Sequence, residues 1–185
     1  MRIRTVFAAL SAIIVTACST AVPRAPVTMA PQVDLKRFMG DWYVIANIPT
    51  FLEKGAHNAV ESYRLDADGS IAVNFSFNDG AFDGPVKTYH PRGFVLDPTN
   101  ALWGMRFVWP IKADYRISYV ASDYSLTVIG REARDYVWIM ARTPTVPDAD
   151  YQRMVEFVTR EGYDASKLQR VPQAATRQAP KVGAP

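Results

Sequence analysis

Between residues 40 and 142 the chain reads as about eight short strand-like segments, joined with one exception by short turn-forming connections. No other feature limits the fold so strongly. Strands joined by short connections pair antiparallel with their sequence neighbours, because a parallel pair needs a crossover of a dozen residues or more. An open meander of this kind keeps two unpaired edges, and closing it into a barrel removes them. The first segment, 40–47, reads Gly-Asp-Trp-Tyr-Val-Ile-Ala-Asn. Trp42, Val44 and Ala46 point to one face of such a strand, Tyr43 and Ile45 to the other. Both sets are apolar, so the strand is expected to be covered on both sides. Gly40, two residues before Trp42, marks a close backbone approach.

The exception is the connection 48–58, with Pro49, Phe51, Leu52, Gly55 and His57. Its apolar residues are out of place in a solvated loop, which predicts that it folds over something. Residues 59–65 form the second strand, and Asp66-Ala67-Asp68-Gly69 is a hairpin turn. Ile71, Val73, Phe75 and Phe77 then alternate with Ala72, Asn74, Ser76 and Asn78, the pattern of a half-buried strand. A kinked strand over 86–96, broken at His90-Pro91-Arg92-Gly93, is followed by strands at 101–107, 114–121, 126–131 and 136–142. Trp109-Pro110 separates two of them. After Thr143-Pro144 the period changes: Tyr151, Met154, Val155 and Val158 fall at i, i+3, i+4 and i+7. This is one amphipathic helix of about three turns, ended by Gly162, and its stripe is expected to pack on the outside of the barrel. A last short strand at 167–171 precedes a polar tail expected to be disordered over 174–185.

At 185 residues the chain suits one folded domain, expected over 33–173. Its 13 prolines and 10 glycines agree with a β-rich, turn-rich fold. The formal charge of +3 drops to +1 once Arg2 and Arg4 are set aside with the leader. No basic patch stands out, which argues against a nucleic-acid partner. Two histidines and one cysteine do not make a structural zinc site, and a single thiol cannot close a disulfide within the chain.

Residues 1–17 have the build of a secretory signal: Arg2 and Arg4, then an apolar run at 6–15 too short to span a bilayer. The run ends in Val15-Thr16-Ala17-Cys18, which resembles the lipobox of bacterial lipoproteins. The resemblance implies a diacylglyceryl group on the Cys18 sulfur, cleavage before Cys18 and acylation of the new amino group. The alternative is a plain secreted leader cut elsewhere, but the only cysteine of the chain sits where a lipobox needs it. Two or more acyl chains, at ~0.8 kcal/mol per buried CH₂, anchor stably where one does not. Ser19 after the cysteine implies the outer membrane of a Gram-negative cell, with the domain on the periplasmic side. Residues 18–32, rich in Ala, Pro, Val and Thr, are expected to be the lipidated cysteine and a flexible tether.

Three motifs sharpen the barrel. Gly40-Asp41-Trp42 resembles the Gly-x-Trp signature that opens the first strand of lipocalins. Ser122-Asp123-Tyr124 resembles their Thr-Asp-Tyr motif, with serine for threonine, and Arg142 stands where that family places an arginine over the tryptophan. Val33-Asp34-Leu35-Lys36-Arg37-Phe38, Arg134-Asp135-Tyr136-Val137-Trp138-Ile139 and Arg160-Glu161-Gly162-Tyr163-Asp164 are similar to the bacterial outer-membrane branch. The resemblance implies an all-β fold: an eight-stranded antiparallel up-and-down barrel with one C-terminal α-helix outside. It assigns Gly40, Trp42, Asp123, Tyr124 and Arg142 to the structural motif. Many lipocalins tie the C-terminal segment to the barrel with a disulfide, which this chain cannot do.

Setting the strands against these motifs turns Glu61, Tyr63, Val73, Phe75, Phe77, Trp103, Met105, Tyr115, Ile117, Tyr119, Trp138 and Met140 inward with Trp42, Val44 and Ala46. Of these, Glu61, Val73, Phe75, Phe77, Trp103, Met105, Tyr115, Tyr119, Trp138 and Met140 are the expected ligand-binding residues. An eight-stranded barrel has room for one small ligand, and an apolar aromatic lining suits it. Glu61 would be costly as an unpaired buried carboxylate. Three readings of it stay open: a place near the mouth, a basic partner, or contact with a ligand's head group. The branch implies a non-enzymatic carrier of fatty acids or lysophospholipids for membrane maintenance, without cofactor or metal. The alternative is an enzyme or a haem- or tetrapyrrole-binding protein on the same scaffold. No Ser/His/Asp set converges by motif, however, and His57 and His90 fall in a loop and at a strand break. Cys18→Ser is expected to leave a soluble periplasmic protein. If cell fractionation finds it still sedimenting with outer membranes, the lipobox reading is wrong.

Overall fold

The structure, a computed structural model, describes residues 24–108 and 111–174. The signal, Cys18, the Trp109-Pro110 break and the tail beyond residue 174 lie outside the described residues. A short helix α1 (Leu35–Phe38) leads into β1 (Gly40–Ile48), β2 (Ala56–Leu65) and β3 (Ile71–Asp79). There follow β4 (Val86–Tyr89), β5 (Arg92–Val95), β6 (Leu102–Val108), β7 (Ile111–Val120), β8 (Leu126–Gly130) and β9 (Val137–Ala141). Strands β1 to β3 and β5 to β9 each pair antiparallel with the next, β3 pairs with β5, and β9 returns to β1 with Val44 opposite Met140, so the sheet closes. Both β4 and β5 pair with β3, as two halves of one stave broken at His90-Pro91. The barrel therefore has eight staves, as expected.

The closed end is built on Trp42. Its ring is fully buried and its Nε1 donates to the Phe38 carbonyl at 2.8 Å. The Arg142 guanidinium lies over the ring, 3.8 Å from the centroid. The same group donates to the carbonyls of Asp41, Arg37 and Phe38 at 2.8, 2.7 and 3.1 Å. It thereby satisfies the carbonyls that the short helix α1 leaves open at its end. Burial lowers the Arg142 pKa to about 10, so the cation persists at neutral pH. Gly40 has φ +93°, and a Cβ there would stand 3.5 Å from the guanidinium. The Ser122-Asp123-Tyr124 turn joins from the other side. Asp123 accepts from the Ser125 N–H, and the Tyr124 hydroxyl accepts from the Asp34 N–H at 2.8 Å.

The long helix α2 (Asp148–Arg160) covers the outer wall with Met154 and Val158 buried against Ile45, Val128, Val137 and Ile139. Gly162, at φ +85°, ends it. A 3₁₀ turn at Ala165–Lys167 then leads to β10 (Gln169–Arg170). This last strand and the residues after it fill the gap where the upper parts of β1 and β2 diverge. Val171 N–H donates to Ile45 O, and the Gln173 amide donates to Val44 O and Ala59 O at 2.8 and 2.9 Å. Hydrogen bonds thus tie the C-terminal segment to the barrel wall.

Three expectations are corrected. Ala46 does not run up the inner wall, because β1 bulges between Val44 and Ala46 and the alternation flips. Ala46 then faces α2, and Asn47, opposite Trp138, turns inward. Tyr119 is turned outward by a second bulge, between Ile117 and Tyr119, and its ring packs 5.6 Å from that of Phe157 on α2. It does not belong to the ligand-binding set. Finally, residues 24–32 are not a free tether. Val27 and Ala30 are buried, and Ala30 N–H donates to Ile117 O at 2.8 Å.

Trp42→Ala is expected to cost about 3–5 kcal/mol of stability, the range for emptying a buried tryptophan site. Arg142→Lys, which keeps the charge and loses the fork of carbonyl bonds, should cost about 2 kcal/mol. Urea unfolding at neutral pH measures both. A loss below about 1 kcal/mol in either would remove that residue from the foundation of the closed end.

Candidate functional site: an apolar cavity with two buried acids

Above the aromatic floor the barrel encloses a cavity of about 560 Å³, within the usual range for small-molecule sites. Six of the expected ligand-binding residues line it: Glu61, Val73, Phe75, Met105, Tyr115 and Trp138. Three others point inward but form the packing beneath and beside it. Trp103 stacks on Tyr115 at 5.3 Å and meets Phe38 edge-on at 5.5 Å. Phe77 packs on Phe75 and Tyr89, and Met140 is fully buried in the same core. The connection 48–58 does fold over something: Thr50, Phe51, Leu52 and Glu53 form part of the cavity wall. His90 and Pro91, at the break between β4 and β5, line it too. The His90 side chain is exposed at this break and also borders the cavity. Arg131 and Tyr136 line it from the β8–β9 connection.

Of the three readings of Glu61, the basic partner is the one the structure does not supply. Glu61 is buried, and among the described residues it has no basic partner. Its carboxylate accepts from the Tyr63 hydroxyl, which lies 2.5 Å from the Tyr115 hydroxyl. Donation from Tyr115 to Tyr63 and from Tyr63 to Glu61 would satisfy the whole chain. These tyrosines serve the acid and are not free donors for a ligand's carboxylate or phosphate. Burial, with some repulsion from Glu53, pushes the Glu61 pKa up to about 7.

Glu53 went unnoticed in the sequence. It is buried on the loop that covers the cavity, where it accepts from Trp138 Nε1 at 3.1 Å and from the Thr50 N–H at 2.9 Å. Burial raises its pKa, and these donors oppose the rise. The only signal in the sequence was the apolar character of the loop around it; its tryptophan partner is 85 positions away. Among the described residues no cluster of three His, Cys, Asp or Glu side chains is placed to hold a metal ion.

A family profile described as a lipocalin-like domain matches residues 33–173. The chain is a lipocalin. This lipocalin is 35% identical to the outer membrane lipoprotein Blc of Citrobacter freundii over 170 residues, covering 91% of this chain and 96% of that protein. It is 32% identical to temperature-induced lipocalin-1 of Arabidopsis thaliana, covering 77% and 81% of the two chains. Among solved structures, insecticyanin from the tobacco hornworm Manduca sexta matches with a TM-score of 0.61 at 17% identity, over 80% of this chain and 84% of that one. Lobster apocrustacyanin A1 matches with a TM-score of 0.60 at 12% identity, over 84% and 95%. At these identities the structural likeness concerns the fold alone. As a lipocalin with an apolar interior, the protein is a binder of small hydrophobic molecules.

The buried acid makes a signed prediction. The Glu61 pKa is raised from an ordinary 4.5 to about 7, so the folded state holds its proton where the unfolded state has lost it. The group is costless below pH 4.5; stability falls as pH rises from there to about 7, then levels off. A shift of this size corresponds to roughly 3 kcal/mol. Urea unfolding at pH 5 and pH 8 should show the wild type losing stability on the alkaline side and Glu61→Gln losing much less. Equal pH slopes in the two proteins would place the proton elsewhere.

Proposed function

We propose that this lipocalin carries single-chain lipids, fatty acids or lysophospholipids, from the outer membrane to which Cys18 anchors it, in the service of membrane maintenance. The observation that carries the reading is the apolar cavity, with Val73, Phe75, Met105 and Trp138 in its wall. The buried floor sets the ligand's direction. An anionic head drawn down beside Glu61 and Glu53 would lose its water where no cation among the described residues stands beside these acids, so the acyl tail goes in first. The head group then stays at the mouth, where His90 and Arg131 line the cavity. Family membership favours binding over catalysis. The relatives named outer membrane lipoprotein Blc, in Citrobacter freundii and Escherichia coli, support the outer membrane as the location; the periplasmic side belongs to the lipoprotein reading of Cys18 and Ser19.

Native mass spectrometry of the purified full chain is expected to release an acyl lipid of one chain. After extraction, a fluorescent fatty acid should bind and be displaced by lysophosphatidylethanolamine. Met105→Trp, which fills the middle of the cavity, should weaken this binding by tenfold or more, about 1.4 kcal/mol, with the fold intact by circular dichroism. Undiminished affinity in a folded Met105→Trp protein would place the ligand outside the barrel.

A further inference from the structure

We propose that the open end of the barrel faces the leaflet that holds the anchor, and that its rim of phenylalanines enters the lipid, so that ligand passes between bilayer and cavity without crossing water. This deepens the carrier reading and rests on Cys18 being the anchor.

The first support is the position of Arg24–Val27. These residues do not lie at the closed end, where α1 is. Arg134 Nη2 donates to Ala25 O at 2.6 Å, and Glu132 accepts from the Val27 N–H at 3.3 Å. Both partners sit on the β8–β9 connection, whose Arg131 and Tyr136 line the cavity. The chain then descends past Ile117 to Val33, whose N–H donates to Thr99 O near the closed end. The anchored segment thus leaves the barrel beside its mouth.

The second support is length. Cys18 lies six residues before Arg24. Fully extended, that stretch reaches at most about 20 Å. The longest staves, β2 and β7, have ten residues. At about 3.3 Å per residue and the usual tilt of a barrel strand, they span roughly 25 Å along the barrel axis. With the closed end on the membrane, the six-residue stretch would have to span the height of the barrel, and it is too short. Turned mouth-down, it has slack.

The third support is the chemistry of the two ends. Among the described residues the three exposed phenylalanines all stand at the open end: Phe51 on the β1–β2 loop, Phe82 after β3 and Phe107 near the top of β6. They are 80, 50 and 54% exposed, and Val86, at the start of β4, is 59% exposed. Three successive hairpins each raise an apolar side chain around one opening. Such a grouping marks a contact surface, and aromatic side chains gain by entering the headgroup region. Charge does not separate the two ends, since Lys54, Asp83, Lys87 and Asp135 are exposed around the opening and Asp34, Lys36, Arg37, Asp68 and Asp123 at the closed end. Aromatic exposure does, the closed end showing only Leu65 and Leu96 as exposed large apolar side chains among the described residues.

The test uses the full lipidated chain in vesicles of phosphatidylethanolamine and phosphatidylglycerol. With Cys18 acylated, a single introduced cysteine takes an environment-sensitive fluorophore, at Phe82→Cys on the rim or Leu96→Cys at the closed end. The rim probe is expected to shift to the blue and to lose most of its emission to nitroxide-labelled lipids, while the closed-end probe does neither. Quenching of the closed-end probe, or of neither, in protein whose Cys18 is acylated by peptide mass overturns the orientation and leaves the carrier reading standing. A rim probe that turns blue without lipid quenching puts a second protein copy on the rim and equally overturns it. An unacylated Cys18 overturns the anchor reading and the orientation with it.

Discussion

The contact of the Arg142 guanidinium with the Trp42 ring, 3.8 Å above its centroid, holds the closed end of the molecule together. One cation there meets three needs. It covers the face of a buried indole, an arrangement worth about 2 kcal/mol when desolvated. It also takes the carbonyls of Arg37 and Phe38, which a helix of four residues cannot satisfy from within. And through Asp41 O it joins the last stave to the first, at the point where the barrel must close. Phe38, Tyr63 and Trp103 pack into the same floor, so the cavity above has a firm base.

Above that floor the molecule tolerates polar groups that a dry core would reject. Glu61, Tyr63 and Tyr115 satisfy one another in a chain, and Glu53 satisfies itself from the loop backbone and Trp138. Neither acid is matched by a cation among the described residues, so each is held more easily with its proton. Held with their protons, the carboxyl groups leave the interior uncharged. A cavity with an apolar wall, a buried acid and a mouth rimmed by phenylalanine is suited to a guest that enters tail first from a lipid phase.

The sequence reading and the structure part company where the backbone departs from strict alternation. Val44, Val73, Phe75, Met105 and Tyr115 face inward because their strands run regularly on from the motifs. Ala46 and Tyr119 do not, because β1 and β7 each bulge just before them. A bulge inserts one residue without a composition signal here, and everything beyond it changes face. The docked segment 24–32 was read as a tether for a related reason. Its alanine, proline and valine have no period, and its order comes from hydrogen bonds to Glu132, Arg134, Ile117 and Glu161 that lie far along the chain.

Taken alone, the sequence determined the class of fold, the eight staves, the outer helix and the motif residues at the closed end. The staves and the helix follow from local period, turn chemistry and short connections, which are properties of neighbouring residues; the motif residues follow from the resemblance to lipocalins. It also showed that the long first connection was too apolar to be left in water. Only the tertiary structure decided that Glu53 lies buried against Trp138, that Glu61 is answered by tyrosines and not by a base, and that the N-terminal segment leaves beside the mouth. Each of these depends on groups far apart in sequence meeting in a low-dielectric interior or along one wall. No local pattern encodes such meetings; the closing of the barrel brings them about.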